Sequence, residues 1–294
     1  KIYPLFALAL IFMAIGILVV LYTKGGVLPE LWDGLHNTHP NAEALPIFPI
    51  MFVSIACGAI SGFHATQSPL MARCMTNEHH GRPVFYGAMI TEGIVALIWA
   101  AAATIFFHDN GMAESNASVV VNDITRSWLG TIGGVLAILG VVAAPISTGD
   151  TALRSARLIV ADFLHLEQKK MRSRLLICIP IFLITIGVLL YSLRDAAGFD
   201  MIWRYFAWVN QTLSVFTLFA VSVFLAKERS GHYYLVTLIP ALFMLAVCSS
   251  YIVVAPEGFA KPQSYILPVA LGISLVALVL FMLWRQKMIH SRKN

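Results

Sequence analysis

The chain is a succession of apolar runs long enough to cross a lipid bilayer. Crossing about 30 Å of hydrocarbon takes roughly 20 helical residues. Runs of about that length lie at approximately 4–22, 46–72, 83–107, 129–147, 175–193, 202–226, 232–254 and 264–285. In hydrocarbon every backbone N–H and C=O must be bonded within the protein, so runs of this kind fold as helices. Composition agrees: 59% of residues are hydrophobic, 12% are charged and the mean hydropathy is +0.79, whereas soluble domains are about 25% charged. The expectation is an all-α integral membrane protein with about eight transmembrane helices.

The net charge of +5 and the pI near 9.1 do not point to nucleic acid, because there is no long basic run and the cations sit between apolar spans. They report orientation. If Lys1 is cytoplasmic, only Lys24, Arg126, Arg194, Arg204 and Lys261 of the 20 Lys and Arg fall in outer segments, which puts both ends inside. The cysteines form no C-x-x-C pair: Cys57, Cys178 and Cys248 lie in apolar spans and Cys74 in a predicted cytoplasmic loop, so free thiols are expected. The chain opens with Lys1 rather than Met and enters its first apolar run without an A-x-A-like cleavage site, which suggests a span inside a longer protein.

The second run is the one that does not read as a plain span. Ser54 to Arg73 begins as an apolar helix and then places Ser61, Gly62, His64, Thr66, Gln67 and Pro69 where hydrocarbon-soluble residues belong. Irregular backbone at membrane depth survives only where protein buries it or where it lines a cavity. Interrupted helices of this kind carry substrate and ion sites in secondary transporters. A helix that simply ends at the cytoplasmic surface with a polar cap would contain the same residues. His64, beside the break, is a candidate for proton traffic or for a hydrogen bond between helices.

Two further constellations bear chemistry. Glu92 falls near the middle of the run 83–107, where a carboxylate costs on the order of 2.5–3.5 kcal/mol and is usually paired, protonated or turned to a polar cavity. It is a proton-carrying candidate, with an interhelical hydrogen bond as the alternative. Ser147, Thr148, Asp150 and Thr151 cluster at the end of the run 129–147, beside Pro145 and Gly149. Hard oxygen ligands suit Na⁺ or a proton relay; Thr148-Gly149-Asp150 would equally cap a following helix. That helix is expected at 151–165, amphipathic and cytoplasmic, lying along the membrane surface with Lys169-Lys170-Met171-Arg172-Ser173-Arg174 as its anchor. The outer loop 23–45 carries His36-x-x-His39, a loop histidine pair without a third metal ligand at suitable spacing. The second outer loop, His108 to Trp128, is acidic and polar, and the last four spans look structural.

Ser54 through Arg73, then Gly81-Arg82-Pro83-Val84-Phe85-Tyr86-Gly87-Ala88-Met89-Ile90-Thr91-Glu92-Gly93, then Ile146 through Arg157, resemble the carbon starvation protein family, also called the peptide transporter carbon starvation family. The likeness is strong over about 46–160 and weaker over the outer loops and final helices. It implies a multi-pass protein of the bacterial or archaeal inner membrane, associated with nutrient limitation and with uptake of peptides, or of pyruvate with protons. It also implies similarity to the amino acid–polyamine–organocation (APC) superfamily and its LeuT-type inverted repeat. On that likeness 1–22 is the last helix of a first repeat. Residues 46–193 are the core of the second repeat, comprising the broken helix 46–72, helices 83–107 and 129–147, the amphipathic helix 151–165 and helix 175–193. Residues 202–294 are the C-terminal helices.

The resemblance thus implies a secondary transporter, or its C-terminal portion, for peptides or small carboxylates. Ser61, Gly62, His64, Thr66 and Gln67 would line the substrate region, and Glu92, Ser147, Thr148 and Asp150 would serve proton or ion coupling. The partners implied are a peptide or pyruvate-like solute, the bilayer, a missing N-terminal half and, for the fragment, a second copy of itself. No cofactor beyond a coupling H⁺ or Na⁺ is expected. Two rivals remain at this point. One is a starvation sensor or assembly subunit, marked by a large soluble domain. The other is an intramembrane hydrolase using Ser61 or Ser68 with His64; it finds no G-x-S-x-G elbow and no H-E-x-x-H, and the chain is read as not an enzyme.

Overall fold

The computed structural model describes residues 3–25, 28, 30, 32, 36–37, 45–55, 60–110, 117–194, 196–229 and 231–293. Every regular element among them is helical. The first apolar run is helix α1 (Tyr3–Lys24). A π-helical segment, Ile47–Met51, leads into the short α2 (Phe52–Ile55), and α3 (Gly62–Cys74) follows. Next come α4 (Ala88–Asn110), α5 (Ala117–Ala137), α6 (Ala144–Phe163), α7 (Met171–Ser192), α8 (Ala196–Glu228), α9 (Leu235–Val254) and α10 (Ile266–Lys293).

Seven helical stretches among the described residues are long and apolar enough to cross a membrane, so the chain is a multi-pass membrane protein. The count differs from the eight apolar runs because 46–72 is not one helix. Helical turns cover 47–55 and resume at Gly62, while Ile60 and Ser61 lie outside them.

Two departures from the sequence reading concern 108–165. The polar loop from His108 to Trp128 contains a helix, whose Val120, Val121 and Trp128 pack on the cluster of Met13, Ile17, Ala102 and Ile124. The chain then turns at Gly130, with φ 60° and ψ −144°, a conformation essentially reserved for glycine. The second departure is that no separate amphipathic helix begins at 151. α6 runs unbroken from Ala144 through Phe163, joined to α5 by the π-helical segment Ile138–Ala143. Pro145 lies in the first turn of α6, directly after that π-helical segment. Thr151 Oγ1 donates to the Ser147 carbonyl at 3.0 Å, and Asp150 pairs with Arg154 one turn on at 2.8 Å, so the polar cluster is compatible with continuous helix. Thr148-Gly149-Asp150 therefore lies inside a helix and does not cap one.

The chain divides into two compact units, Lys1–His36 with Leu70–Ile181, and Asn37–Pro69 with Phe182–Asn294. In the first, α1 packs against α4, α5, α6 and the segment 138–143. Small residues let helices approach closely in lipid: a Cβ on Gly16 would lie 3.2 Å from Leu129, and one on Gly140 3.1 Å from Leu10. In the second, α9 is central, flanked by α8, α10 and the segment 47–55. Phe48, Phe52 and Phe243 form an aromatic cluster there. Cys74, Cys178 and Cys248 are free thiols, and Cys57 lies outside the described residues.

Candidate functional site

The restart of the broken segment is held by a helix far along the chain. Ser61 precedes α3, and its Oγ lies 3.3 Å from the Phe63 backbone N–H, the position of a helix N-cap. Asn210, in the middle of α8, completes the cap: its Oδ1 accepts the same N–H at 3.0 Å, and its Nδ2 donates to Ser61 Oγ at 3.0 Å. Both side chains are buried, where an unbonded polar group would cost about 1–3 kcal/mol. Gly62 makes the contact sterically possible, since a Cβ there would fall 2.3 Å from the Asn210 carbonyl oxygen and 2.7 Å from Leu213 Cβ.

Beside this joint lies a cavity of about 540 Å³, lined by Gly62, Phe63 and Thr66 of α3, Tyr205, Phe206 and Asn210 of α8, and neighbouring aliphatic side chains. Its wall is almost entirely apolar, and the polar side chains of Thr66, Tyr205 and Asn210 in its lining are hydrogen-bonded to the protein itself. Phe63 and Phe206 pack with centroids 5.6 Å apart. Thr66 Oγ1 donates to the Phe63 carbonyl at 2.9 Å, and His64 Nδ1 is 3.1 Å from the Ser61 carbonyl oxygen. Those two bonds keep Thr66 and His64 tied to the first turn of α3. Gln67 is partly buried on the same helix.

Thus Ser61, Gly62, His64, Thr66 and Gln67 share the first two turns of α3 and the residue before them, and Gly62 and Thr66 reach the cavity. The other candidates lie in the first unit. Glu92 is on the exposed surface of α4 rather than buried, Ser147 is partly buried in α6, and Thr148 and Asp150 are exposed on α6. His36 is exposed, and His39 lies outside the described residues. Among the described residues no three His, Cys, Asp or Glu come close enough to share a metal ion.

Sequence reasoning passes over Asn210 and its neighbours on α8. The C-terminal spans read as structural because they carry almost no charge at depth. The available signal is Asn210-Gln211-Thr212 inside an apolar run: an amide at membrane depth demands a partner. Gln211 is fully buried, and Trp208 Nε1 donates to the Cys248 carbonyl at 2.9 Å. A second polar joint lies at the end of α9. Glu257, with a side chain only 2% exposed, receives Tyr251 Oη at 2.5 Å and Arg204 Nε at 3.3 Å on its Oε1. The Glu257 carbonyl accepts Tyr205 Oη at 2.5 Å.

Known proteins share much of this chain. A family model described as "Carbon starvation protein CstA" matches residues 5–127 and 110–250. A peptide transporter CstA of Campylobacter jejuni is 26% identical over 302 residues, covering 80% of this chain and 43% of its own length. A pyruvate/proton symporter BtsT of Escherichia coli is 37% identical over 101 residues, 32% of this chain and 14% of its own. An uncharacterized membrane protein of Haemophilus influenzae is 40% identical over 132 residues, 40% of this chain and 35% of its own. The chain spans less than half the length of each of these three relatives. No solved structure matches it.

Proposed function

This chain belongs to the carbon starvation protein CstA family, and we propose that it forms part of a secondary transporter for peptides or small carboxylates such as pyruvate, driven by H⁺ or Na⁺. The observation that carries this reading is the cavity at the start of α3, lined by Gly62, Thr66 and Asn210. A helix that restarts beside a cavity offers partial positive charge to a carboxylate, and the apolar wall suits the remainder of a small solute. The names of the relatives, a peptide transporter and a pyruvate/proton symporter, agree with that chemistry.

In this reading Ser61, Gly62, His64, Thr66 and Gln67 line the solute path. Glu92 carries or supports the proton, and Ser147, Thr148 and Asp150 form an ion or gating site. The arrangement is a LeuT-type repeat of the APC kind in a bacterial or archaeal inner membrane, with both ends cytoplasmic, and the protein performs no covalent chemistry. Large apolar side chains such as Leu97, Ile132 and Phe216 stay exposed within the membrane-length helices. Lipid, the remaining part of a longer transporter or a second copy would cover them.

The test is uptake of labelled pyruvate and of labelled dipeptides into proteoliposomes holding the full-length transporter of which the chain forms part, with a pH or Na⁺ gradient imposed. The expected result is gradient-driven accumulation that falls in Thr66→Val and loses its coupling in Glu92→Gln. Folded, inserted protein that accumulates neither solute under either gradient would overturn the reading.

A further inference from the structure

Away from the cavity, within the second unit, α8 ends close to the start of α9, and Leu278 to Trp284 of α10 pack beside them. Ala226, Tyr234, Leu238 and Phe281 are buried together there, with Trp284 packed against them. Phe281 bridges the two other rings, 5.6 Å from Tyr234 and 5.6 Å from Trp284. This aromatic base carries two cations. Arg285 Cζ lies 4.6 Å from the centre of the Tyr234 ring, and Lys227 Nζ lies 6.0 Å from the centre of Trp284.

A ring face attracts a cation without neutralising it. Arg229, just after α8, and Lys287, two residues beyond Arg285 on α10, add charge, and Glu228 is the neighbouring acid on α8. Among the described residues none of Lys227, Arg229, Arg285 and Lys287 forms an ion pair. Tyr and Trp settle at the level of lipid headgroups, and basic pockets between transmembrane helices bind anionic headgroups. Below the cations, Val236, Ile239, Leu280 and Leu283 present exposed apolar side chains.

We propose that the end of α8, the start of α9 and this part of α10 form a binding site for an anionic phospholipid, its phosphate held by Lys227 and Arg285 and its acyl chains lying along α9 and α10. The charge pattern selects the headgroup and the aromatic base fixes the depth of the two cations. The site does not depend on the transport reading.

The experiment places the protein in nanodiscs of phosphatidylcholine alone or mixed with phosphatidylglycerol, reading retained lipid by native mass spectrometry and Tm by tryptophan fluorescence. Phosphatidylglycerol is expected to be retained preferentially and to raise Tm. Lys227→Gln and Arg285→Gln are each expected to weaken that retention about fivefold, with Arg285→Lys retaining most of it. Lys261→Gln, which removes an exposed basic charge beyond the opposite end of α9, is expected to change it little. Should the glutamine variants fail to fold, about 0.5 M salt on the unaltered protein is expected to weaken phosphatidylglycerol retention severalfold. Equal retention of the two lipids, equal loss in both variant sets, no response to salt, or a Tm rise reproduced by inorganic phosphate would each overturn the proposal.

Discussion

Asn210 Oδ1 accepts the backbone N–H of Phe63, 147 residues earlier in the chain, at 3.0 Å, so a side chain in the middle of α8 caps α3. The cap is shared with Ser61, to which Asn210 Nδ2 donates. Asn210→Ala is expected to cost about 1–3 kcal/mol, because it removes the shorter of the two bonds to the Phe63 N–H and the donor to the buried Ser61 hydroxyl, leaving only the 3.3 Å contact between those two groups. Ser61→Ala should cost less, since Asn210 still serves Phe63. The double variant should lose less than the sum of the two. Thermal unfolding in detergent checks all three, and strict additivity would show that the two side chains act independently.

Gly62 is required for that joint. Gly62→Ala puts a methyl carbon where the Asn210 carbonyl oxygen lies 2.3 Å away, and backbone cannot move aside as a flexible side chain can. A loss of about 1–3 kcal/mol is expected, with solute uptake falling as well if the cavity serves transport. Gly93, on α4, has nothing within 4 Å of the place a methyl would occupy, so Gly93→Ala should leave stability unchanged or raise it by up to about 1 kcal/mol. Comparing the two Tm values separates close packing from helix propensity.

Gly130 makes the turn inside α5, between the helix before it and the one that follows. Its φ of 60° with ψ of −144° is closed to residues bearing a Cβ at a cost of about 1–3 kcal/mol. Gly130→Ala should therefore lower Tm although nothing lies within 4 Å of the added carbon. Gly149→Ala, with open space and no such backbone constraint, is the matched control.

Glu257 joins α8 to the turn after α9 through Arg204, Tyr205 and Tyr251. Its Oε2 is buried without a hydrogen-bond partner among the described residues, so the carboxylate depends on what meets Oε1. Arg204→Ala should destabilise the protein, and Glu257→Gln introduced into that variant should restore part of the loss by removing an uncompensated charge. The coupling expected is about 0.5–3 kcal/mol. A double-mutant cycle read by thermal unfolding measures it.

Asp150 and Arg154 form an exposed pair one helical turn apart, a contact worth about 0.5 kcal/mol or less. Asp150→Asn should leave Tm nearly unchanged. If it abolishes gradient-driven uptake all the same, Asp150 serves coupling; uptake equal to the unaltered protein would leave it a surface residue.

The apolar runs by themselves determined the helical class, the membrane setting and the interruption near Ser61, because hydrocarbon forces backbone bonding inside each segment and tolerates few polar side chains. The runs 4–22 and 175–193 correspond closely to Tyr3–Lys24 and Met171–Ser192, since a single span is a local property. What the sequence could not supply was partnership. Nothing local to Asn210 says that it caps α3, and nothing local to Glu257 says that it meets Arg204. The polar cluster at 147–151 stays within a continuous helix because its hydrogen bonds close one turn away, a choice that competes evenly with capping until the packing is known. Hydrogen bonds and close contacts between residues far apart in the chain were decided by tertiary structure alone, because their energy exists only once the helices have been brought together.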